Sequence, residues 1–509
     1  MTSKVVLDIY SHGVRVSGYS RELFTTLSIF LESLNLKEPR KLPAHQGGRT
    51  VMELKKRYYG LRHNNREAFI HRYQLDELIG FLHDRGIEDR FIERNYIEPG
   101  TPVEVSYTLQ EGLAPRDYQI PIVSALVDPL PSKAVYLQTG KGKTKTALMA
   151  VAQMGLRCSV MIPPKYFGIW VEAIEETFPS CKGRVQTVSG SAELKALIER
   201  GVEGELDADV IIISQVTYRN YLESYERFGE QIEEIGFLAP PPRFHEAIGA
   251  GVQIIDEIQD DPGLVFRMDV FTNIRKQMYL SATPFTGNDY VTNMINVMLP
   301  EPTHCPLPKY DAYINVIGLL YGDPEVQRKD YLTPFKNTYN HARYEKQMMK
   351  KKRRLTRYHQ MVRRVVTGIF TRDRVPGQKL LILCATVDFI AALTKYLNVA
   401  FPDLTVGMHV AGSDYRKLLK NDITVSTIKS SGTGVDIPDL REVLMLQATD
   451  SKKDNIQVLG RLRHMKNFPD HTPRMTYMVC EHIKPHIKYH NSKKNHFSGR
   501  VKNHRVMRL

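Results

Sequence analysis

Gln138-Thr139-Gly140-Lys141-Gly142-Lys143-Thr144 sets two glycines, two lysines and two hydroxyl side chains between the apolar run Ala134–Leu137 and the helical pattern Thr146-Ala147-Leu148-Met149-Ala150-Val151. A strand, a glycine turn and a helix N-terminus in that order form a cradle for phosphate. Backbone N–H groups point inward, the helix dipole favours anions, and a lysine adds a mobile positive charge. Leu137 stands where the strict G-x-x-x-x-G-K-[ST] spacing has its first glycine. Farther along, the apolar strand Val252-Gln253-Ile254-Ile255 ends in Asp256-Glu257. Paired carboxylates at a strand end suit metal-assisted hydrolysis: Asp256 would hold Mg²⁺ through oxygen, and Glu257 would orient and deprotonate an attacking water. A solvated acidic turn is the other use of such a pair, and the phosphate loop upstream argues against it.

These residues need buried strands to position them. From about 108 to 300, short apolar runs (Ala134–Leu137, Ser159–Ile162, Val210–Ser214, Val252–Ile255, Met278–Ser281) alternate with helical periods, which implies βαβ units and a parallel sheet. A second alternating region, 376–482, has strands at Leu380–Cys384, Ile423–Ser426, Val443–Leu446 and Met475–Val479. Residues 301–375 between them read as a proline-rich connection, then a charged helix carrying Lys350-Lys351-Lys352-Arg353-Arg354. Residues 1–105 read as a small α+β unit. Strand alternation runs from Val5 to Val16, helical spacing covers Glu22–Leu36 and Leu75–His83, and Glu98-Pro99-Gly100-Thr101-Pro102 reads as a linker. Within that unit Arg49, Lys55, Lys56, Arg57, Arg62, Arg66 and Arg72 surround Tyr58 and Tyr59, a mixture suited to phosphate contacts and base stacking. Residues 483–509 read as a basic tail without periodicity.

At 509 residues the chain has room for about three domains. Hydrophobic content of 42% and charged content of 25% are ordinary for globular protein. A net charge of +14 points to a polyanionic partner, nucleic acid or an acidic membrane surface. No apolar run reaches the ~18–20 residues of a membrane span, and the N-terminus lacks a signal-peptide core. Cys158, Cys181, Cys305, Cys384 and Cys480 are scattered with no C-x-x-C, which argues against zinc and disulfide frameworks. A soluble protein of a reducing compartment is expected.

QTGKGKT, DEIQ and Ser281-Ala282-Thr283-Pro284-Phe285 together resemble the motif series of superfamily-2 helicases and translocases, and further motifs follow in order. Leu113 to Gln119 resembles the adenine-reading segment, which implies nucleotide contacts from Arg116 and Gln119. The resemblance assigns Thr139, Gly140, Lys141, Gly142, Lys143, Thr144 and Lys145 to the nucleotide, with Thr144 and Asp256 on its Mg²⁺. Ile162-Pro163-Pro164-Lys165 with Trp170, and Ser214-Gln215-Val216-Thr217, resemble strand-end motifs that touch the nucleic-acid backbone. That implies roles for Pro163, Lys165, Ser214, Gln215 and Thr217. In the second region Thr386, Ser430 and Thr433 would face nucleic acid, while Gly434 and Asp436 of Ser430–Pro438 would face the nucleotide. Gln457 to His464 resembles the arginine-finger helix, with Gln457 and Arg461 catalytic. The family pattern Q-x-x-G-R-x-x-R ends where this chain has His464, and Arg463 comes one residue early, about 100° around a helix. Arg463 is the expected second finger, because only arginine offers a permanent fork of donors.

The resemblance implies two RecA-like α/β domains with largely parallel sheets, 106–300 and 376–482, behind the small N-terminal unit 1–105. ATP would lie between them. The overall plan is similar to the UvsW-type phage helicases, implying an ATP-dependent DNA helicase that remodels branched DNA in replication, recombination or repair in the host-cell cytoplasm; the oligomeric state is open, with a monomer favoured. SGTGVDIPDL is also similar to a segment of poxvirus transcript-release helicases, so an RNA-directed or transcription-complex translocase stays open. A non-hydrolysing ATP-gated binding module is the third reading, and the intact Lys143, Asp256 and Glu257 argue against it.

Overall fold

The alternation at the N-terminus forms strands β1 (Val5–Ile9) and β2 (Gly13–Ser17), whose buried Leu7, Val14 and Val16 face a core shared with the helices Arg21–Ser33 and Leu75–Asp84. The computed structural model describes residues 4–41, 50–62, 65–282, 289–334, 337–410, 419–430 and 437–509. Arg49, Thr283, Thr433, Gly434 and Asp436 lie outside the described residues, as do the side chains of Lys55, Lys56 and Arg57. The chain forms two compact units, Met1–Leu137 with Lys141–Pro308, and Gln138–Gly140 with Lys309–Leu509. Among the described residues no helix is long and apolar enough to cross a membrane.

The first unit holds two main sheets. β3 (Asn35–Lys41) and β4 (Thr50–Arg57) form an antiparallel ribbon, and β5 (Tyr59–Arg62), β6 (Glu67–His71) and β7 (Ile92–Tyr96) join β1 and β2 in the order β5-β6-β2-β1-β7. Only the β1/β7 pair in this sheet is parallel. Tyr58, just ahead of β5, and Phe69 of β6 point into the protein, while Tyr96 of β7 is exposed. Tyr58 packs on Phe266 with ring centroids 5.5 Å apart, and Phe69 packs on Phe271 at 4.9 Å. Arg62 is 5% exposed, lies 4.2 Å over the Tyr225 ring and pairs with Glu67 and Glu230. The expectation that Tyr58 and Arg62 present a nucleic-acid surface is therefore corrected: a stacked, doubly paired guanidinium in the core is a structural device.

The second sheet comprises β8 (Ser132–Tyr136), β9 (Cys158–Ile162), β10 (Val185–Val188), β11 (Val210–Ser214), β12 (Val252–Asp256) and β13 (Lys276–Ser281). Its order is β10-β11-β9-β12-β13-β8, every pair parallel. Such a sheet is buried on both faces, which explains the continuous apolar runs. Val160, Ile212, Ile254 and Met278 enter one core while Met161, Ile211, Ile255 and Tyr279 enter the other.

The second unit is built on seven parallel strands: β14 (Asn315–Tyr321), β15 (Lys379–Cys384), β16 (Val406–His409), β17 (Ile423–Thr427), β18 (Leu440–Met445), β19 (Arg474–Cys480) and β20 (Asn503–Arg508). The order is β16-β17-β15-β18-β19-β14-β20. Two expectations change here. The connection 301–375 supplies β14, an apolar strand obscured in the sequence by the prolines ahead of it. The tail 483–509 supplies the helix Lys484–Phe497 and edge strand β20, so it is not an unstructured basic end. β20 is exposed nearly throughout and is held by backbone ladder bonds to β14, which leave no alternation for a sequence pattern to register.

Candidate nucleotide and nucleic-acid site

The phosphate loop leaves β8 and turns into the helix Lys143–Met154 through Gly142, whose φ of 79° is the left-handed region that glycine enters without strain. Gly142 is also the helix N-cap, so the first N–H groups of the helix are uncapped by any side chain and open to an anion. Gln119, expected to read adenine, is 3% exposed and braces this loop instead. Its amide donates to the Lys141 carbonyl at 3.3 Å and to Thr146 Oγ1 at 2.8 Å, and its Oε1 accepts from Arg116 N at 2.9 Å. Arg116 donates to the Tyr118 hydroxyl at 2.9 Å, which in turn donates to the Lys141 carbonyl at 3.0 Å. The Lys141 ammonium lies 5.8 Å over the Tyr118 ring. Lys145 points elsewhere: its Nζ is 3.7 Å from Glu176, which removes its side chain from the expected phosphate contacts. Thr144 is half-buried in the first turn of the helix.

Lys143 Nζ is 3.9 Å from Glu257 Oε1, so the loop lysine faces the carboxylates at the end of β12. Glu257 sits at φ 53°, a left-handed conformation costing a non-glycine residue about 1–3 kcal/mol, which turns its side chain off the strand line. Its backbone N–H donates to Asp256 Oδ1 at 2.9 Å. Burial, and after it the Glu257 charge, pushes the Asp256 carboxyl up to about 7 against the pull of Lys143. An acid destabilised in this way is a natural partner for a cation, and Asp256, Glu257 and Thr144 are all hard oxygen donors of the kind Mg²⁺ takes. Among the described residues no three His, Cys, Asp or Glu side chains form a group that could hold a metal ion.

Gln259 links this centre to the next strand. Its amide donates to Glu257 Oε2, and its Oε1 accepts from Ser281 Oγ at 2.5 Å, at the end of β13. The sequence offered Gln259 only as part of DEIQ; its geometry gives it the role of joining the carboxylate to the Ser281-Ala282 segment.

In the second unit the helix Lys452–Leu459 carries half-buried Gln457 and ends before Arg461. Residues 461–464 lie beyond the helix, so the expected 100° step does not decide between Arg463 and His464. Arg461 is 9% exposed, its N–H donating to the Val458 carbonyl at 3.1 Å. Arg463 Cδ, Cγ and Nε lie 3.1–3.2 Å from where a Cβ on Gly140 would stand, and Gly140 has φ 85°. Glycine is needed there for both reasons. Thr139, in the same unit, packs on Gly460 in a space that leaves no room for a Cβ. His464 stacks on Tyr313 at 3.8 Å and its Nε2 is 3.0 Å from Asp311 Oδ2.

The expected nucleic-acid contacts divide. Lys165 is exposed, Gln215 and Ser430 are half-buried, and Pro163 is half-buried at the end of β9. Ser214 and Thr217 are buried, and their hydroxyls accept from Thr217 N at 3.4 Å and Gly190 N at 2.7 Å; they cap a helix and brace a loop, so they are corrected to structural residues. Thr386 is likewise turned inward, donating to Glu345 Oε2 at 2.7 Å. Glu345, which the sequence did not single out, also accepts from Ala385 N at 2.8 Å and thereby fixes the strand end after β15.

No protein-family model and no curated protein matches the chain. Solved structures match it in fold. Mss116p bound to ssRNA and AMP-PNP is 17% identical with a TM-score of 0.50, over 77% of this chain and 74% of that chain. S. cerevisiae Dbp5 bound to RNA and ADP BeF3 is 14% identical with a TM-score of 0.49, over 78% and 90%. T4 UvsW is 11% identical with a TM-score of 0.35, over 99% of both chains. The fold is an α/β one with two RecA-like domains and a small mixed N-terminal sheet, similar to that of the Mss116p structure.

Proposed function

We propose that the protein hydrolyses ATP to drive a superfamily-2 helicase or translocase activity on nucleic acid. The run of contacts Lys143–Glu257–Gln259–Ser281 carries this reading, since it joins a phosphate-loop lysine, a water-orienting carboxylate and the next strand end in one chain of polar groups. Open N–H groups at the start of the Lys143–Met154 helix would bind the phosphates, and Lys143 would hold their outer charge. A Mg²⁺ carried with the nucleotide, held by Thr144 and Asp256, would neutralise phosphate charge. Glu257 would orient the attacking water and take its proton. Gln259 would pass the change at Glu257 to Ser281. Arg461 and Arg463 would stabilise charge at the outermost phosphate. Lys165, Gln215 and Ser430, which are exposed or half-buried, would meet a nucleic-acid backbone.

The substrate we propose is DNA, branched DNA in particular, on the plan shared with the UvsW-type phage helicases, which implies work in replication, recombination or repair in a host-cell cytoplasm. RNA is the second reading, favoured by the fold shared with the ssRNA-bound Mss116p structure. Strand-separation assays on forked DNA, four-way DNA and RNA duplexes, each with ATP, divide the two. Faster separation of forked or four-way DNA supports the first. Separation of RNA duplex alone replaces it with the second.

A further inference from the structure

The helix Lys352–Ile369 contains five arginines and lysines on or near its outer face and no acidic residue. Its inner stripe, Tyr358, Val362, Val365, Val366 and Ile369, is consumed by the core beneath β15 and β17. The outer positions Lys352, Arg353, Arg357, Arg363 and Arg364 are all exposed. At about 100° per residue Lys352, Arg353, Arg363 and Arg364 fall within about 120° of one another.

The fold supplies carboxylates to some of the basic residues here and leaves others without. Arg354 is buried with Asp323 and Asp330, Lys351 pairs with Asp330, and Arg357 pairs with Glu325. Among the described residues Lys352, Arg353, Arg363 and Arg364 make no ion pair. Lys352 and Arg353 occupy the first helical turn, which has no acidic residue, so they face the positive end of the helix dipole. Arg353 and Arg357 repel one another at i,i+4. A face kept merely for solubility would mix signs. This one concentrates a single sign, and at Lys352 and Arg353 the helix dipole opposes that sign, which an external anion would relieve.

We propose that this helix face is a second nucleic-acid contact that grips the phosphate backbone outside the motif residues. The two basic pairs are 11 residues apart, about 16 Å along the helix, or the rise of about five base pairs of duplex at 3.4 Å each. Because the apolar stripe is already buried, insertion into a lipid surface is not open to this helix. The proposal rests on the helicase reading above, but its failure is separable from failure of that reading.

The test compares the full chain with a quadruple variant, Lys352→Ala, Arg353→Ala, Arg363→Ala and Arg364→Ala, using fluorescence anisotropy on duplex DNA across a salt series. The variant's log–log salt slope should flatten by about 0.9 for each phosphate it no longer neutralises, about 3.6 for four, with ATP hydrolysis in the absence of nucleic acid unchanged. A charge-retaining set, Lys352→Arg, Arg353→Lys, Arg363→Lys and Arg364→Lys, should keep the wild-type slope, which separates charge from folding. An unchanged slope in the alanine variant overturns the proposal while wild-type binding leaves the helicase reading intact. Loss of binding to vesicles of anionic lipid, with the DNA slope unaltered, also overturns it and assigns the face to a membrane. Absence of any nucleic-acid binding by the wild-type chain sinks the helicase reading itself.

Discussion

Arg463→Ala and His464→Ala should differ by orders of magnitude, although the family spacing points to position 464. His464 is already engaged, stacked on Tyr313 at 3.8 Å and 3.0 Å from Asp311. Reaching a phosphate would break both interactions. The His464–Asp311 contact is exposed on each side, 64% and 38%, so it is worth about 0–1 kcal/mol at most. Arg463 runs along Gly140 with Cδ 3.1 Å from the absent Cβ, which leaves its guanidinium one bond beyond Nε at the turn of the loop. Arginines that stabilise transferring phosphate contribute about 10³–10⁵ in rate, or about 4–7 kcal/mol. Steady-state phosphate release under saturating nucleic acid gives kcat, and binding of a fluorescent nucleotide separates weakened capture from lost chemistry. The expected result is a fall of at least about 10³ in kcat for Arg463→Ala, with nucleotide affinity changed far less, and a nearly normal His464→Ala. A severe defect in His464→Ala beside an innocent Arg463→Ala refutes the reasoning.

Two further predictions concern stability. Lys493 is 2% exposed, donates to the Thr449 carbonyl at 2.6 Å, and burial lowers its pKa from 10.5 to about 8. Between those values the unfolded chain binds the extra proton, so this group's contribution to stability rises with pH across the window, by about 3 kcal/mol at ~1.36 kcal/mol per unit, and below it the cost of burying the charge is fully present. Denaturant unfolding should show wild-type gaining on Lys493→Met from pH 8 to pH 10; a difference that ignores pH refutes the burial argument. Deleting residues 1–104 uncovers Phe266, Val270 and Phe271, at 3%, 3% and 2% exposure in the whole chain, each worth about 1.5–3 kcal/mol when returned to water. The truncated protein should melt well below the full chain or fail to stay soluble; an unchanged melting temperature makes the N-terminal sheet an independent attachment.

The two parallel sheets were legible because buried parallel strands are continuous apolar runs, as in Val210–Ser214 and Leu380–Cys384. The phosphate loop and the Asp256–Glu257 pair were legible because their chemistry needs particular residue types close together in sequence. β20 was hidden, since an exposed edge strand is set by backbone pairing and leaves no side-chain pattern. Ser214, Thr217 and Thr386 were misread for a related reason: a hydroxyl at a strand end serves a cap or a neighbouring carboxylate as readily as a phosphate, and only the fold shows which. Glu345 lies far in sequence from the Ala385–Thr386 segment it holds, so no local pattern announces it.

The central claim, that these residues form a nucleic-acid-driven ATP hydrolase, is tested most directly by phosphate release from ATP with and without DNA or RNA, in wild-type and Glu257→Gln protein. Stimulation of wild-type turnover by nucleic acid is expected, with Glu257→Gln binding ATP normally and failing to hydrolyse it. No wild-type hydrolysis under any nucleic acid, or full turnover by Glu257→Gln, contradicts the account.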